Sequence, residues 1–326
     1  MPKHGTTRHG SLQFYPRVRA KKILPRVSWK ALNREDVNLL GFIGYKVGMK
    51  SAFVKNSTPN SLTKGQRVTI PVTIIECPTM KIFSVRFYKD GKVIGCVLNQ
   101  NIDKEMKKKV KMPKVFNKKI EDFTPAGVPV EGKDGDYDDI RLIVYSQVKK
   151  TGIKKKPDMA EIGVSGKLDE KLEFVKNNLN KEISIRDVFS EGVVDVRGVT
   201  IGKGNQGSMK RFGLELRFHK SEKGQRGPGS GGPWHPARVE YTQPMSGQMG
   251  FFTRTTFNHK ILLMGNVSDL DINIKSGFRH FGKIKGDYIV LCGSVQGPKK
   301  RQVLITNALR PTVGQVKKKY EFMELR

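Results

Sequence analysis

From Val37 onward, apolar and polar positions alternate in short runs that predict strands. Val68, Ile70, Val72 and Ile74 alternate with Thr69, Pro71 and Thr73, a period of two. Pro71 has no amide donor and predicts an edge position or a bulge in that strand. Phe83, Val85 and Phe87 precede Asp90-Gly91, and Ile94, Cys96 and Leu98 follow it. Asp tolerates and Gly favours the positive φ of a type I′ turn, so this stretch predicts a hairpin. Ile140, Leu142 and Val144 predict another strand, after which the period changes. Leu168, Leu172, Val175 and Leu179 recur at spacings of four, three and four, the signature of one helical face, with Asp169 and Glu170 near the positive end of the dipole. Residues 77–186 therefore read as a mixed α/β module, the only clearly helical part of the chain. Val194 and Val196 resume the alternation, as do residues 261–264, 288–291 and 303–306. These strands are expected to form one mainly β barrel, interrupted twice, and no internal repeat is evident.

Two long segments lack this patterning, and both are basic. Residues 1–30 hold eight Lys or Arg and no acid, with Pro16 and Pro25 blocking a long helix. His4, His9, Phe14, Tyr15 and Trp29 are interleaved, which favours an arm that orders against bases and sugars over a purely solvated tail. Residues 200–260 hold eleven Gly, ten Lys or Arg and three Glu. A structureless loop of that length inside a compact domain is usually functional. Charge runs at 104–119 (eight Lys, one Glu) and 131–139 (five acids, one Lys) read as solvated faces without chemistry.

The whole chain of 326 residues carries 61 Lys or Arg against 30 Asp or Glu, a net charge of +31. That excess disfavours an ordinary metabolic enzyme and predicts a polyanionic partner. No run approaches eighteen apolar residues and no apolar region follows the N-terminal charges, so no membrane partner is expected and the chain should stay in the cytosol. Cys77, Cys96 and Cys292 lie far apart and read as small buried hydrophobes.

Catalytic and metal motifs are weak. Gly202-Lys203-Gly204-Asn205-Gln206-Gly207 satisfies G-x-G-x-x-G after a strand, but basic, Gly-rich loop is expected to follow where a dinucleotide site needs a helix. The glycines are expected instead to let backbone amides approach RNA phosphates, with Lys203, Lys210 and Arg211 supplying charge. His4, His9, His219, His235, His259 and His280 show no ligand spacing, and no paired-carboxylate site or nucleophile elbow is present. No metal, catalytic residue or cofactor is expected, apart from structural Mg2+ that accompanies RNA. Gly231 to Arg238 places Trp234 between prolines. One reading anchors this ring back on the barrel, and the other presents it with His235 and Arg238 to an RNA site.

These residues together resemble a known family. Arg8-His9-Gly10 with Phe14 and Pro16-Arg17, the segment Gly41 to Met49, the run Val199 to Arg211, Trp234-His235-Pro236-Ala237-Arg238, Gly247 to Gly250 and Gly297-Pro298-Lys299-Lys300-Arg301 keep the order found in large-subunit ribosomal protein L three, archaeal type. The resemblance implies a six-stranded closed barrel of the elongation-factor/reductase type, with an N-terminal basic arm, an inserted α/β module and a long basic finger loop. The expected division is 1–36 for the arm, 37–76 with 187–201 and 256–326 for the barrel, 77–186 for the module, and 202–255 for the finger. Arm and finger would reach into large-subunit (23S-type) rRNA near the peptidyl-transferase centre, beside neighbouring ribosomal proteins and without homo-oligomers. The implied rRNA-binding residues are Lys3, His4, Arg8, His9, Arg17, Arg19, Lys21 and Lys22 in the arm, and Lys203, Lys210, Arg211, Arg217, Lys220, Lys223, Arg226, Trp234, His235, Arg238 and Arg254 in the finger. His259, Lys299, Lys300 and Arg301 complete the set. Some eukaryotic relatives carry a modified His upstream of the tip Trp; Gln225 stands near that position here, so no such modification is expected. The competing classes are a chromatin-type DNA-binding protein, which would need a basic helical stripe, and an RNA-modifying enzyme, for which only the Gly202 motif is on offer.

Overall fold

The computed structural model describes residues 10–32, 34, 36–115, 118–125, 136–221, 224–232, 234–235 and 237–326. In chain order its strands are β1 (Gly41–Asn56), β2 (Arg67–Glu76), β3 (Met80–Lys89), β4 (Lys92–Leu98), β5 (Thr124–Pro125), β6 (Asp136–Tyr137), β7 (Asp139–Ser146), β8 (Met159–Gly163), β9 (Val193–Val199), β10 (Asn205–Gln206), β11 (Gly247–Gln248), β12 (Thr253–Asn266), β13 (Asp287–Cys292), β14 (Gln302–Asn307) and β15 (Tyr320–Leu325). The chain divides into two compact units, one of residues up to Ile23 with Val199–Arg254, the other of Leu24–Gly198 with Thr255–Arg326.

In the larger unit, strands run in the order β14-β9-β12-β13-β2-β1, and an additional β14–β1 pairing closes them into a ring of six. The long β1 makes closure possible by serving three neighbours. Gly41–Tyr45 pairs with β14, Ala52–Asn56 pairs with β15, and β2 runs along most of its length. Register shifts between Lys46 and Gly48 and between Phe53 and Val54 mark the bulges that bend it.

Pro71 sits at a point where the ladder can spare a donor. β13 pairs with β2 only as far as Val72, and beyond it the Gly293 amide donates to the Pro71 carbonyl at 2.8 Å. In a strand the carbonyl and nitrogen of one residue face the same side, so the missing donor removes nothing from the β1 pairing. Burial changes at the same place: Val68 and Ile70 are half-buried between exposed neighbours, whereas every residue from Val72 to Glu76 is buried.

The second sheet, in the order β4-β3-β7-β8, carries the module. Asp90 (φ 50°) and Gly91 (φ 75°) form the two-residue turn between β3 and β4 that the sequence predicts. The expected helix spans Leu168–Asn178, with Val175 fully buried, and the Lys167 amide donates to Glu170 Oε2 at 2.9 Å. Tyr45 of β1 ties ring to module: its hydroxyl donates to Asp158 at 2.5 Å and lies 2.7 Å from Ser146 Oγ. A single buried cluster holds ring residues (Phe42, Ile75, Val196, Ile305) and module residues (Ile82, Phe87, Leu142, Ile162) alike.

Two expectations are corrected here. Trp29 is 5% exposed and packs against Gly41 and Gly163, where a Cβ would lie 3.1 and 2.8 Å from its ring and side chain, so it belongs to the core and not to a stacking arm. Cys96 is exposed, although Cys77 is buried and Cys292 half-buried. The inward positions of β4 are Gly95 and Val97, because Phe123, stacked on Phe87 at 4.5 Å, fills the space over Gly95.

Candidate nucleic-acid interface

The smaller unit is built on a ladder between the two limbs of the long loop. Asn205 and Gln206 pair with Gln248 and Gly247, and further backbone bonds run from Lys203 N to Met249 O (2.8 Å), Met249 N to Gly204 O (2.8 Å) and Thr200 N to Phe252 O (2.9 Å). Gly250 (φ 73°) permits this closeness, since a Cβ there would lie 2.0 Å from the Ile201 carbonyl oxygen. A helix, Ser208–Phe212, begins directly after Gly207, contrary to the expectation of irregular loop. It is five residues long, ends at Gly213 (φ 64°), and buries Ser208, Met209 and Phe212. The dinucleotide reading still fails, because β9 pairs antiparallel with β14 and belongs to no parallel crossover unit.

Arm residues fold onto this ladder through cations and rings. The Arg17 guanidinium lies 4.3 Å from the Phe212 ring and 5.4 Å from that of Tyr15, Arg254 lies 4.0 Å from Phe14, and Arg19 lies 5.9 Å from Phe251. The Ala20 amide donates to the Phe251 carbonyl at 2.8 Å, and Tyr15 meets Tyr241 edge-on at 5.9 Å. Arg211 donates to the carbonyls of Gln248 (3.1 Å) and Met245 (2.7 Å). Burial, and then the charge of Arg17, lower the pKa of both Arg211 and Arg254. These guanidiniums crowd together on rings and carbonyls, an arrangement that an incoming anion relieves.

The remaining expected contacts differ in exposure. Lys21, Lys22, Lys203, Lys210, Lys220, Arg226, His235 and Arg238 are exposed, and Trp234 is 85% exposed, which excludes its packing back as an anchor. Arg217 and Arg301 are half-buried, and burial lowers the Arg301 pKa. Lys299 donates to the Arg279 carbonyl at 2.7 Å, and exposed Lys300 (φ 64°) lies in a turn pinned to β1 by Lys300 N to Lys46 O at 2.8 Å. His259 is the exception: it is 8% exposed, with Nδ1 2.8 Å from the Cys292 carbonyl, so it is a core histidine and offers no surface to RNA. Lys3, His4, Arg8, His9 and Lys223 lie outside the described residues.

Sequence reasoning missed two exposed aromatics. Tyr241 is 81% and Phe218 68% exposed, and the Phe218 ring lies tilted against that of His219, centroids 4.2 Å apart. The signal was present in Arg217-Phe218-His219-Lys220, an aromatic pair bracketed by cations, which suits base stacking beside phosphate. Among the described residues no cluster of His, Cys, Asp and Glu has metal-ligating geometry, and no helix is long and apolar enough to cross a membrane.

Comparison with known proteins agrees with this chemistry. The family model described as Ribosomal protein L3 matches residues 1–324. The large ribosomal subunit protein uL3 of Methanocaldococcus jannaschii is 42% identical over 316 residues, covering 93% of this chain and 91% of the relative. Those of Methanobrevibacter smithii (39%; 95% and 94% covered) and Archaeoglobus fulgidus (38%; 95% and 93% covered) are similar over the same extent. With the match running from end to end, this chain belongs to the ribosomal protein L3 family.

Proposed function

We propose that the arm and the long loop of this ribosomal protein bind large-subunit rRNA and order the RNA around the peptidyl-transferase centre. The chain is a structural, non-enzymatic constituent of the large ribosomal subunit. The observation that carries the finer reading is Trp234: one aromatic ring, 85% exposed, beside exposed His235 and Arg238, on a loop whose base is sealed by backbone bonds. An exposed ring beside exposed cations suits unstacked bases and phosphates, because the deep A-form major groove excludes side chains. Lys203, Lys210, Lys220, Arg226 and Arg238 would contact phosphates, whereas Arg17, Arg211 and Arg254 set the loop's shape. In this reading the ring is a closed barrel of the elongation-factor type lying among neighbouring ribosomal proteins, and Mg2+ arrives only with the RNA. The protein would work as an assembly clamp, neutralising phosphates that repel as RNA helices pack.

The test is sedimentation of native extract through a sucrose gradient at high salt, with this chain detected in each fraction, for the parent and Trp234→Ala. The parent should co-migrate with the large subunit, and the variant should assemble but alter peptidyl transfer. A Trp234→Ala subunit with unchanged peptidyl transfer overturns the finger's role at the catalytic centre.

A further inference from the structure

The lysine runs of the inserted module come together on one face. Residues 104–108 form a 3-10 turn anchored by buried Met106, and 148–156 follow β7. Lys149 pairs with Glu105 at 2.7 Å, and Lys109 (3.9 Å) and Lys154 both pair with Asp158, so the two segments are held side by side. Between them opens a cavity of about 700 Å³ lined by five lysines (Lys81, Lys104, Lys108, Lys149 and Lys150) and three acids (Asp103, Glu105 and Glu182), with Gln147 in its wall. The acids here are already engaged. Asp103 and Glu182 both pair with Lys81, at 3.2 and 3.6 Å, and Glu182 also pairs with Lys150 at 2.5 Å.

What is left over is positive. Lys104, Lys107, Lys108, Lys155 and Lys156 are exposed and make no ion pair among the described residues. A face of this kind repels itself unless a polyanion covers it. Its cations are lysines, which bind phosphate as point charges without reading base edges. The aromatics packed beneath it, Phe83 and Tyr145, are buried, so neither offers a ring for stacking. That chemistry differs from the Trp234 loop, where rings and cations are exposed together.

We propose that this module face is a second RNA-binding surface, separate from the arm and loop, which grips the phosphate backbone of an RNA helix without sequence preference. It rests on the rRNA-binding reading above. A duplex backbone suits it, because successive phosphates can meet the unpaired lysines while each acid keeps its own lysine partner.

The experiment compares the full chain with a variant carrying Lys104→Gln, Lys107→Gln, Lys108→Gln, Lys155→Gln and Lys156→Gln, and with the matching five Lys→Arg changes. Binding to transcribed large-subunit rRNA is measured across salt concentrations. Each lost duplex phosphate contact removes about 0.9 from the slope of log affinity against log salt. The Gln variant should lose the equivalent of at least two contacts, about 1.8 in slope, and the Arg variant should keep the parent slope. All the altered side chains are exposed, so a Gln variant that melts no lower than the parent has kept its fold, and relief of repulsion should raise its melting temperature. A Gln variant with the parent slope overturns the second surface and leaves the arm-and-loop reading standing. A parent chain with no salt-dependent rRNA binding overturns both readings. A Gln variant that keeps its rRNA slope but loses an acidic ribosomal protein from the subunit overturns the RNA assignment in favour of a protein partner.

Discussion

Glu76 ends β2 fully buried, with Oε1 accepting from the amides of Lys285 (2.8 Å) and Gly286 (3.3 Å) and Oε2 without a hydrogen-bond partner. Burial pushes its pKa up to about 7, against the downward pull of those two amides and of the Lys285 charge. An acid whose folded pKa exceeds its unfolded value binds more protons when folded, so its contribution to stability is greatest below the unfolded value. That contribution is lost as pH rises from about 4.5 to about 7. The full loss is on the order of 3 kcal/mol. Glu76→Gln keeps the acceptor at Oε1 and removes the charge. Denaturant unfolding at pH 8 should therefore find the variant more stable than the parent, with the gap closing near pH 5. A gap of the same size at both pH values would show that Glu76 stays ionised throughout. Nothing in the sequence singles this residue out, since Glu at the end of an alternating run reads as the exposed exit of a strand. It becomes legible only when β13 is seen pairing beside it, with Tyr288 opposite Glu76.

Gly250 fixes an element in the way Glu76 fixes a site, because the ladder at the base of the loop exists only if a backbone carbonyl can approach its Cα. Gly250→Ala places a Cβ against the Ile201 carbonyl at a φ that L-residues rarely adopt, a cost of about 1–3 kcal/mol. Amide hydrogen exchange should rise about tenfold or more at Lys203 and Met249, whose amides close the ladder, and stay unchanged at Val290 and Ile305 in the ring. Unchanged exchange at Lys203 and Met249 would mean that the arm contacts and Arg211 hold the base without this ladder. The elements that read correctly from sequence are those whose pattern is local: the Asp90-Gly91 turn, the helix carrying Val175, and the strands around Val196 and Ile305. Those that did not are set by distant neighbours. The helix after Gly207 is too short for a periodic signal and is fixed by burial of Met209 and Phe212. Cys96 turns outward because Phe123, 27 positions later, occupies the inner face. The two tryptophans make the same point. Trp29 in a basic stretch read as exposed and is core, because Gly41 and Gly163 leave room for it, whereas Trp234 between prolines read ambiguously and is exposed.

At the scale of the whole molecule the net charge of +31 acts on folding and binding with opposite signs. In the chain without RNA the excess cations repel, and added salt screens them over about 10 Å at 0.1 M. The melting temperature of the isolated chain should therefore rise as salt increases from about 0.02 to 0.3 M, a range over which the screening length falls severalfold. Bound to RNA, the same charges gain their affinity from released counterions, so salt weakens the complex. A protein making about 6–10 phosphate contacts loses about 10³–10⁵ in affinity between roughly 50 and 200 mM. Exposed ion pairs such as Lys55–Glu321 and Arg186–Asp269 act against the first trend, because screening weakens them too. Among the described residues few pairs have both partners exposed, and the chain as a whole carries 61 basic against 30 acidic side chains, so repulsion should win. Parallel calorimetry of the isolated chain and filter binding to rRNA over one salt series would read both effects. A melting temperature that falls with salt in the isolated chain would show that ion pairing, and not repulsion, governs its stability, and the assembly-clamp argument would then have to rest on contact geometry alone.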